Sequence, residues 1–151
     1  VVNEEIFKQV LVIGEEEWVI KTVEKQMING GFALDDIIVQ QIMTPRINMI
    51  CVEVNDSISK LINVVVESGL SRIPVYSNDL DNIVGIAYAR DLLPLLKQKI
   101  FNSSIKKIMR QPHYIQDSKE VDKLLDELKK NKIHMAIVVD YFNRTVGLAT
   151  I

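Results

Sequence analysis

The chain has 151 residues, of which 48% are apolar and 25% charged, and its formal net charge at pH 7 is −2. This is globular composition with room for one sizeable core or two small ones, and it excludes disorder and collagen-like structure. No apolar run approaches the ~20 residues of a spanning helix, no signal peptide is visible, and the single Cys51 cannot form an internal disulfide, which suits a reducing compartment.

Charge is unevenly spread: residues 1–38 carry −5, residues 39–103 carry 0 and residues 104–151 carry +3. The excess lysines fall largely on one expected helix among acids, as on a solvated face. In chain order, Glu15-Glu16-Glu17 open a helix whose face carries Trp18, Val19, Val23, Met27 and Ile28, and Asn29-Gly30-Gly31 end it. That face has too little of its own to pack against, so it is expected to cover another part of the chain or a partner. A short helix from about Asp36 carries Ile37, Ile38 and Ile42.

Residues 49–54 form an apolar strand, in which Cys51 reads as a small buried residue rather than a nucleophile. Asn55-Asp56-Ser57 offer N-caps to a helix over 58–68, with Ile58, Leu61, Ile62, Val65 and Val66 on one face and Gly69 at its left-handed end. Strands over 73–76 and 83–88 flank the turn formers of 77–82, which predicts an antiparallel hairpin. Pro74 cannot donate to a ladder, so its strand is expected at an edge. Asp91 lies in the first turn of a helix to about Lys99, with Pro94 tolerated if that helix starts late.

The same order then repeats. Ile42-Met43 recurs 66 residues on as Ile108-Met109, and the 57–62 helix start is echoed 63 residues on by 120–125. Ile73-Pro74-Val75-Tyr76 matches Ala136-Ile137-Val138-Val139, and Val84-Gly85-Ile86-Ala87 matches Val146-Gly147-Leu148-Ala149. The second copy is expected to have Asp117-Ser118 as cap, a helix over 119–131 and strands over 133–139 and 145–150. It stops at Ile151, where the first copy continued into its last helix.

No phosphate-loop, dinucleotide, zincin, Cys-pair or nucleophile-elbow signature occurs, so no enzyme activity and no metal centre are expected. His113 reads as a loop residue. His134 matches Ser71 and is either a capping donor or a ligand contact. Three motifs exceed what folding requires. Met43-Thr44-Pro45-Arg46 frees backbone groups around a rigid turn. Ser71-Arg72-Ile73-Pro74-Val75-Tyr76 sets a guanidinium, well shaped for phosphate, beside a strand. Gly85-Ile86-Ala87-Tyr88-Ala89-Arg90-Asp91 leads a strand into a helix start, where a carboxylate can accept ribose hydroxyls and Arg90 can face phosphate.

Residues 36–151 resemble a tandem pair of cystathionine β-synthase (CBS) domains, the Bateman module. Ile42-Met43-Thr44-Pro45-Arg46, Ser71-Arg72-Ile73-Pro74-Val75-Tyr76 and Asn82-Ile83-Val84-Gly85-Ile86, followed by Arg90-Asp91-Leu92-Leu93, are similar to blocks of the CorC/CNNM (hemolysin-like) magnesium and cobalt efflux family. Glu24-Lys25-Gln26-Met27-Ile28 resembles that family's connecting segment. The resemblance implies an α+β fold: a helical segment over 1–35, then two pseudo-twofold-related β-α-β-β-α units over 36–101 and 102–151, the second lacking its last helix.

It also implies a regulatory module on the cytoplasmic side of a membrane, joined to a membrane domain, acting as a homodimer and binding ATP or AMP, with or without Mg2+. One nucleotide cleft would combine Thr44, Pro45, Ser71, Arg72 and Ile73 with Thr150, and the other Tyr88, Asp91, His134, Met135 and Ala136. Tyr88 replaces the short hydroxyl of the family pattern and would stack on a base or fill its cleft. Met135, in the place of Arg72, removes a phosphate partner, and the carboxylate due after Thr150 lies past the end of the chain. The first cleft is therefore favoured. A ligand-independent dimerisation module and the regulatory insert of a soluble enzyme are the competing readings.

Overall fold

A computed structural model of the chain describes residues 37–151. The expected Trp18 helix and the rest of the 1–35 segment lie outside the described residues. In chain order the elements are β1 (Thr44–Pro45), β2 (Val52–Glu53), α1 (Ile58–Ser68), β3 (Arg72–Ser77), β4 (Asp79–Tyr88), α2 (Leu93–Gln98), α3 (Ile105–Ile108), β5 (Tyr114–Gln116), α4 (Val121–Lys130), β6 (Met135–Val139) and β7 (Thr145–Thr150). Short 3-10 turns occupy Val39–Gln41, Arg46–Asn48 and Ala89–Leu92. This is an α+β arrangement, as the sequence implied.

Among the described residues the chain forms two compact units, one of Ile50–Gln111 and one of 37–49 with Pro112–Ile151. The units cut across the order of the repeat. The Ile42-Met43 block that opens the first copy folds onto the sheet of the second, and Ile108-Met109 folds onto the sheet of the first. Two glycines explain the match. A Cβ on Gly147 would fall under 3.0 Å from the Thr44 carbonyl oxygen and the Met43 sulfur, and one on Gly85 would meet the Met109 sulfur at 2.5 Å. Each sheet thus uses a bare backbone to admit one methionine.

In the Ile50–Gln111 unit the sheet order is β2-β3-β4, with β2 parallel to β3 and β3 antiparallel to β4. The α1 bounds are those read from the sequence. Ser57 Oγ accepts the Lys60 N–H at 3.1 Å, Gly69 turns left-handed at φ 73°, and Ile58, Leu61 and Val65 are buried with Ile73, Val75 and Ala87. Burying three such side chains contributes about 1.5–3 kcal/mol each.

Three expectations differ here. β3 is the central strand rather than an edge, because the β2 pairing begins at Val52↔Val75 and so never reaches Pro74. The hairpin turn is tight, with Ser77 opposite Asp79 and Asn78 at φ 72°, so the strand extends through most of the expected 77–82 turn. β2 covers only Val52–Glu53, which leaves Cys51 half-buried ahead of it.

In the other unit the sheet order is β1-β7-β6-β5. The α4 helix starts at Val121, two residues later than expected, because Glu120 bridges Ile38 while Asp117-Ser118 form a turn. Val121, Leu124, Leu125 and Leu128 bury its inner face with Val39, Ala136 and Val138. The seam is closed by main-chain bonds from Val39 N–H to Lys119 C=O at 2.8 Å, Val121 N–H to Ile37 C=O at 2.8 Å and Gln40 N–H to Asp117 C=O at 3.0 Å.

Candidate functional site

The antiparallel β3–β4 register sets Arg72 directly opposite Tyr88. A β-bridge then brings Arg110 to Ile86, two residues along the same strand, with their N–H and C=O groups bonded at 2.8 and 2.9 Å. The 3-10 turn after Tyr88 adds Arg90 and Asp91. Three guanidinium carbons therefore converge on one ring: Arg110 at 4.3 Å from the Tyr88 centroid, Arg90 at 5.2 Å and Arg72 at 5.4 Å. An aromatic face attracts cations, which offsets their mutual repulsion.

One carboxylate belongs to this group. Asp91 accepts both arms of the Arg110 fork, Nε at 2.8 Å and Nη2 at 2.8 Å. The hydrogen bonds to Asp91, above all, raise the Arg110 pKa further beyond its ordinary value. Arg90 is exposed and has no carboxylate partner among the described residues. Among the described residues three guanidinium groups and the Asp91 carboxylate thus gather around one ring, an arrangement able to meet a phosphate-bearing ligand. Ser71 Oγ accepts from Arg72 Nη1 at 3.3 Å, and the Ser71 carbonyl accepts the Ala89 N–H at 2.8 Å.

Tyr88 is only 8% exposed. Its ring is taken up by the arginines, so base stacking has no open face of it to use. Ile73 is wholly buried and can offer a ligand only its backbone.

In the second unit, Thr44 and Pro45 lie exposed on β1, opposite Leu148 and Gly147. Thr150 lies two residues beyond Leu148 on β7 and pairs with Met135. His134 adjoins it, its carbonyl accepting the Ile151 N–H at 3.1 Å. Thr44, Pro45, His134, Met135 and Thr150 thus share one sheet. Met135 and Ala136 are buried, so their side chains belong to the core. Arg46 ends this stretch by donating to the Thr145 carbonyl at 3.0 Å, which anchors the Thr-Pro turn.

Arg110 is the member that the sequence reading missed. Nineteen residues separate it from Asp91, and only the bridge to Ile86 joins them. His113 does lie ahead of β5 in a loop, but its ring is engaged. Its Nε2 meets Glu127 Oε1 at 2.7 Å, and Lys119 Nζ donates to the other Glu127 oxygen. The Lys119 hydrogen bond, followed by that of His113, lowers the Glu127 pKa. Among the described residues no group of three His, Cys, Asp or Glu could hold a metal ion, and no helix is long and apolar enough to cross a membrane.

Comparison with known proteins locates this architecture. The family model described as "CBS domain" matches residues 39–98. The magnesium and cobalt efflux protein CorC of Escherichia coli strain K12 is 39% identical over 127 residues, 84% of this chain and 44% of that protein. The chain therefore spans less than half the length of the curated relatives it matches. Among solved structures, the CBS domain of the bacterial CNNM/CorC family Mg2+ transporter in complex with ATP has a TM-score of 0.77 and 38% identity, covering 84% of this chain and 90% of that one. CBSX2 in complex with AMP has a TM-score of 0.65 and 26% identity, covering 75% and 89%.

Proposed function

We propose, from the premise that this chain belongs to the CBS domains of the CNNM/CorC family, that it is an adenine-nucleotide-binding regulatory module of a divalent-cation transporter. The observation that carries this reading is the 38% identity to a CBS domain whose structure was determined with ATP, over 90% of that domain. The cationic group around Tyr88 supports it independently of likeness.

Arg72 is the phosphate contact, because its planar fork of donors suits phosphate oxygens and the Tyr88 ring holds it in place. Beside Arg72 the Ser71 hydroxyl and the Ile73 main chain supply neutral hydrogen bonds, and in the other unit the Thr44 and Thr150 hydroxyls and the main chain of Thr44 and Pro45 offer groups of the same kind. The Gly147 backbone fixes Thr44 and Pro45 on their sheet. Asp91 enters only if Arg110 releases it, so the Tyr88, Asp91, His134, Met135 and Ala136 set is the weaker of the two.

In this reading the module binds and releases the nucleotide unchanged, on the cytoplasmic side of the membrane, as a homodimer attached to a membrane domain that moves Mg2+ or Co2+. Regulation requires the nucleotide to bind two arrangements of the module unequally. Its effect on transport cannot exceed that difference in affinity.

Calorimetric titration with ATP and AMP, each with and without Mg2+, tests the reading. Saturable heat and a raised melting temperature with at least one nucleotide are expected, with no release of phosphate. Flat titrations and unchanged melting for every nucleotide would refute it. A second reading, ligand-independent dimerisation, is favoured by the Asp91–Arg110 fork and the enclosed Tyr88, which are satisfied without a ligand. It predicts a dimer by sedimentation that no nucleotide alters.

A further inference from the structure

The internal repeat permits a comparison within one molecule. In the 37–49 and Pro112–Ile151 unit, the seam between the leading segment and the start of α4 is closed by the Val39, Gln40 and Val121 main-chain bonds. In the Ile50–Gln111 unit the matching seam carries the Ser57↔Ser104 bridge, and beside it lies a cavity of about 620 Å3. That volume falls within the range of small-molecule sites, roughly 300–1,000 Å3. It is at the far end of the sheet from Arg72 and Tyr88: it reaches Ser77 at the close of β3, whereas Arg72 opens that strand.

Its lining specifies a chemistry. Val54, Val84 and Met109 are apolar, and Phe101, 38% exposed, presents a ring. Two charged residues reach the cavity, Asp56 and Lys106. Asp56 is committed, because its Oδ2 accepts the Glu53 N–H at 2.9 Å and pairs with Lys60 at 3.3 Å. Lys106 has no ion pair among the described residues. The cavity therefore combines an aromatic wall with a cation that has no counter-ion among the described residues.

We infer that this cavity is a second ligand site, separate from the nucleotide residues, which takes a small aromatic ring bearing an anionic group, phosphate or carboxylate. The ring packs on Phe101 and the anion meets Lys106, with the Ser103 and Ser104 hydroxyls as additional donors. The inference does not depend on nucleotide binding, because none of these residues belongs to the Tyr88 group or the Thr-Pro turn.

Amide NMR of the 15N-labelled protein, titrated with phenyl phosphate, benzoate, inorganic phosphate and benzyl alcohol, tests it. Phenyl phosphate or benzoate should shift the Ser57, Phe101, Ser104 and Lys106 amides saturably, while inorganic phosphate and benzyl alcohol bind at least fivefold more weakly. K106Q and F101A should each weaken the aromatic anion at least fivefold, and K106Q should leave any ATP affinity unchanged. A spectrum that keeps its dispersion shows that each variant is folded. The inference is overturned if the aromatic anions shift none of these amides, if they shift only residues around Arg72 and Tyr88, or if K106Q binds them as the parent does.

Discussion

Gly147→Ala and Gly85→Ala test how the two leading segments are held, and their costs should differ. Neither glycine has a left-handed φ, so the added methyl acts through space rather than backbone strain. At Gly85 the nearest atoms belong to the Met109 side chain, its sulfur at 2.5 Å and Cγ at 2.8 Å, and that unbranched chain can turn aside. At Gly147 the nearest atom is the Thr44 carbonyl oxygen. Relief there requires β1 to lift from β7, which gives up its ladder bonds and strains the Arg46 contact with Thr145.

Overpacking costs about 1–3 kcal/mol, so Gly85→Ala belongs near the lower bound and Gly147→Ala near the upper. A protein of this size loses roughly 2–4 °C of melting temperature per kcal/mol. Urea denaturation and calorimetry of both variants measure the difference. In a Met109→Ala background the added cost of Gly85→Ala should shrink, since the obstructing sulfur is gone. Gly147→Ala should also weaken ATP binding, because it moves Thr44 and Pro45. Equal costs for the two variants, or no coupling between residues 85 and 109, would refute the reasoning.

Two further results are expected. The lowered Glu127 pKa means that its hydrogen bonds with Lys119 and His113 stabilise the protein above the ordinary carboxylate range, and that this contribution is lost as pH falls through the depressed folded value. Glu127→Gln should flatten the acid limb of a stability–pH curve and leave the neutral limb parallel to that of the parent. Asp91→Asn removes the carboxylate that engages Arg110 beside Tyr88, so ATP affinity should rise more than AMP affinity and its salt dependence should steepen. If Asp91 instead holds ribose, both affinities fall equally. The Asp91–Arg110 pair is partly exposed and screened by solvent, so the stability cost should stay within about 1 kcal/mol.

The α1 helix was legible in full because every signal agreed: Ser57 as cap, an apolar face of Ile58, Leu61 and Val65, and Gly69 at the end. The β7 bounds and the order of the repeat were legible for the same reason. The pairing of each Ile-Met block with the other copy's sheet was not, since a repeat gives similarity and order but no contacts. It is visible only in the glycine opposite each methionine. Pro74 misled because its missing donor argues for an edge, and only the shortness of β2 makes it harmless in a central strand. Arg72 and Tyr88 both fall on the hairpin strands read from the sequence, but their direct pairing was not legible, because it depends on a turn tighter than the expected 77–82 loop and on register shifts after Val75. The fork that engages Asp91 depends on Arg110, whose approach to β4 no local pattern encodes.

The central claim is that a nucleotide binds through the Arg72 guanidinium. Calorimetric titration of the parent protein and Arg72→Gln with ATP tests it most directly. The account predicts saturable binding to the parent and at least tenfold weaker binding to the variant, a loss of about 1.4 kcal/mol, with AMP affected less than ATP. Equal ATP affinity in the two proteins, or none in the parent, would contradict it.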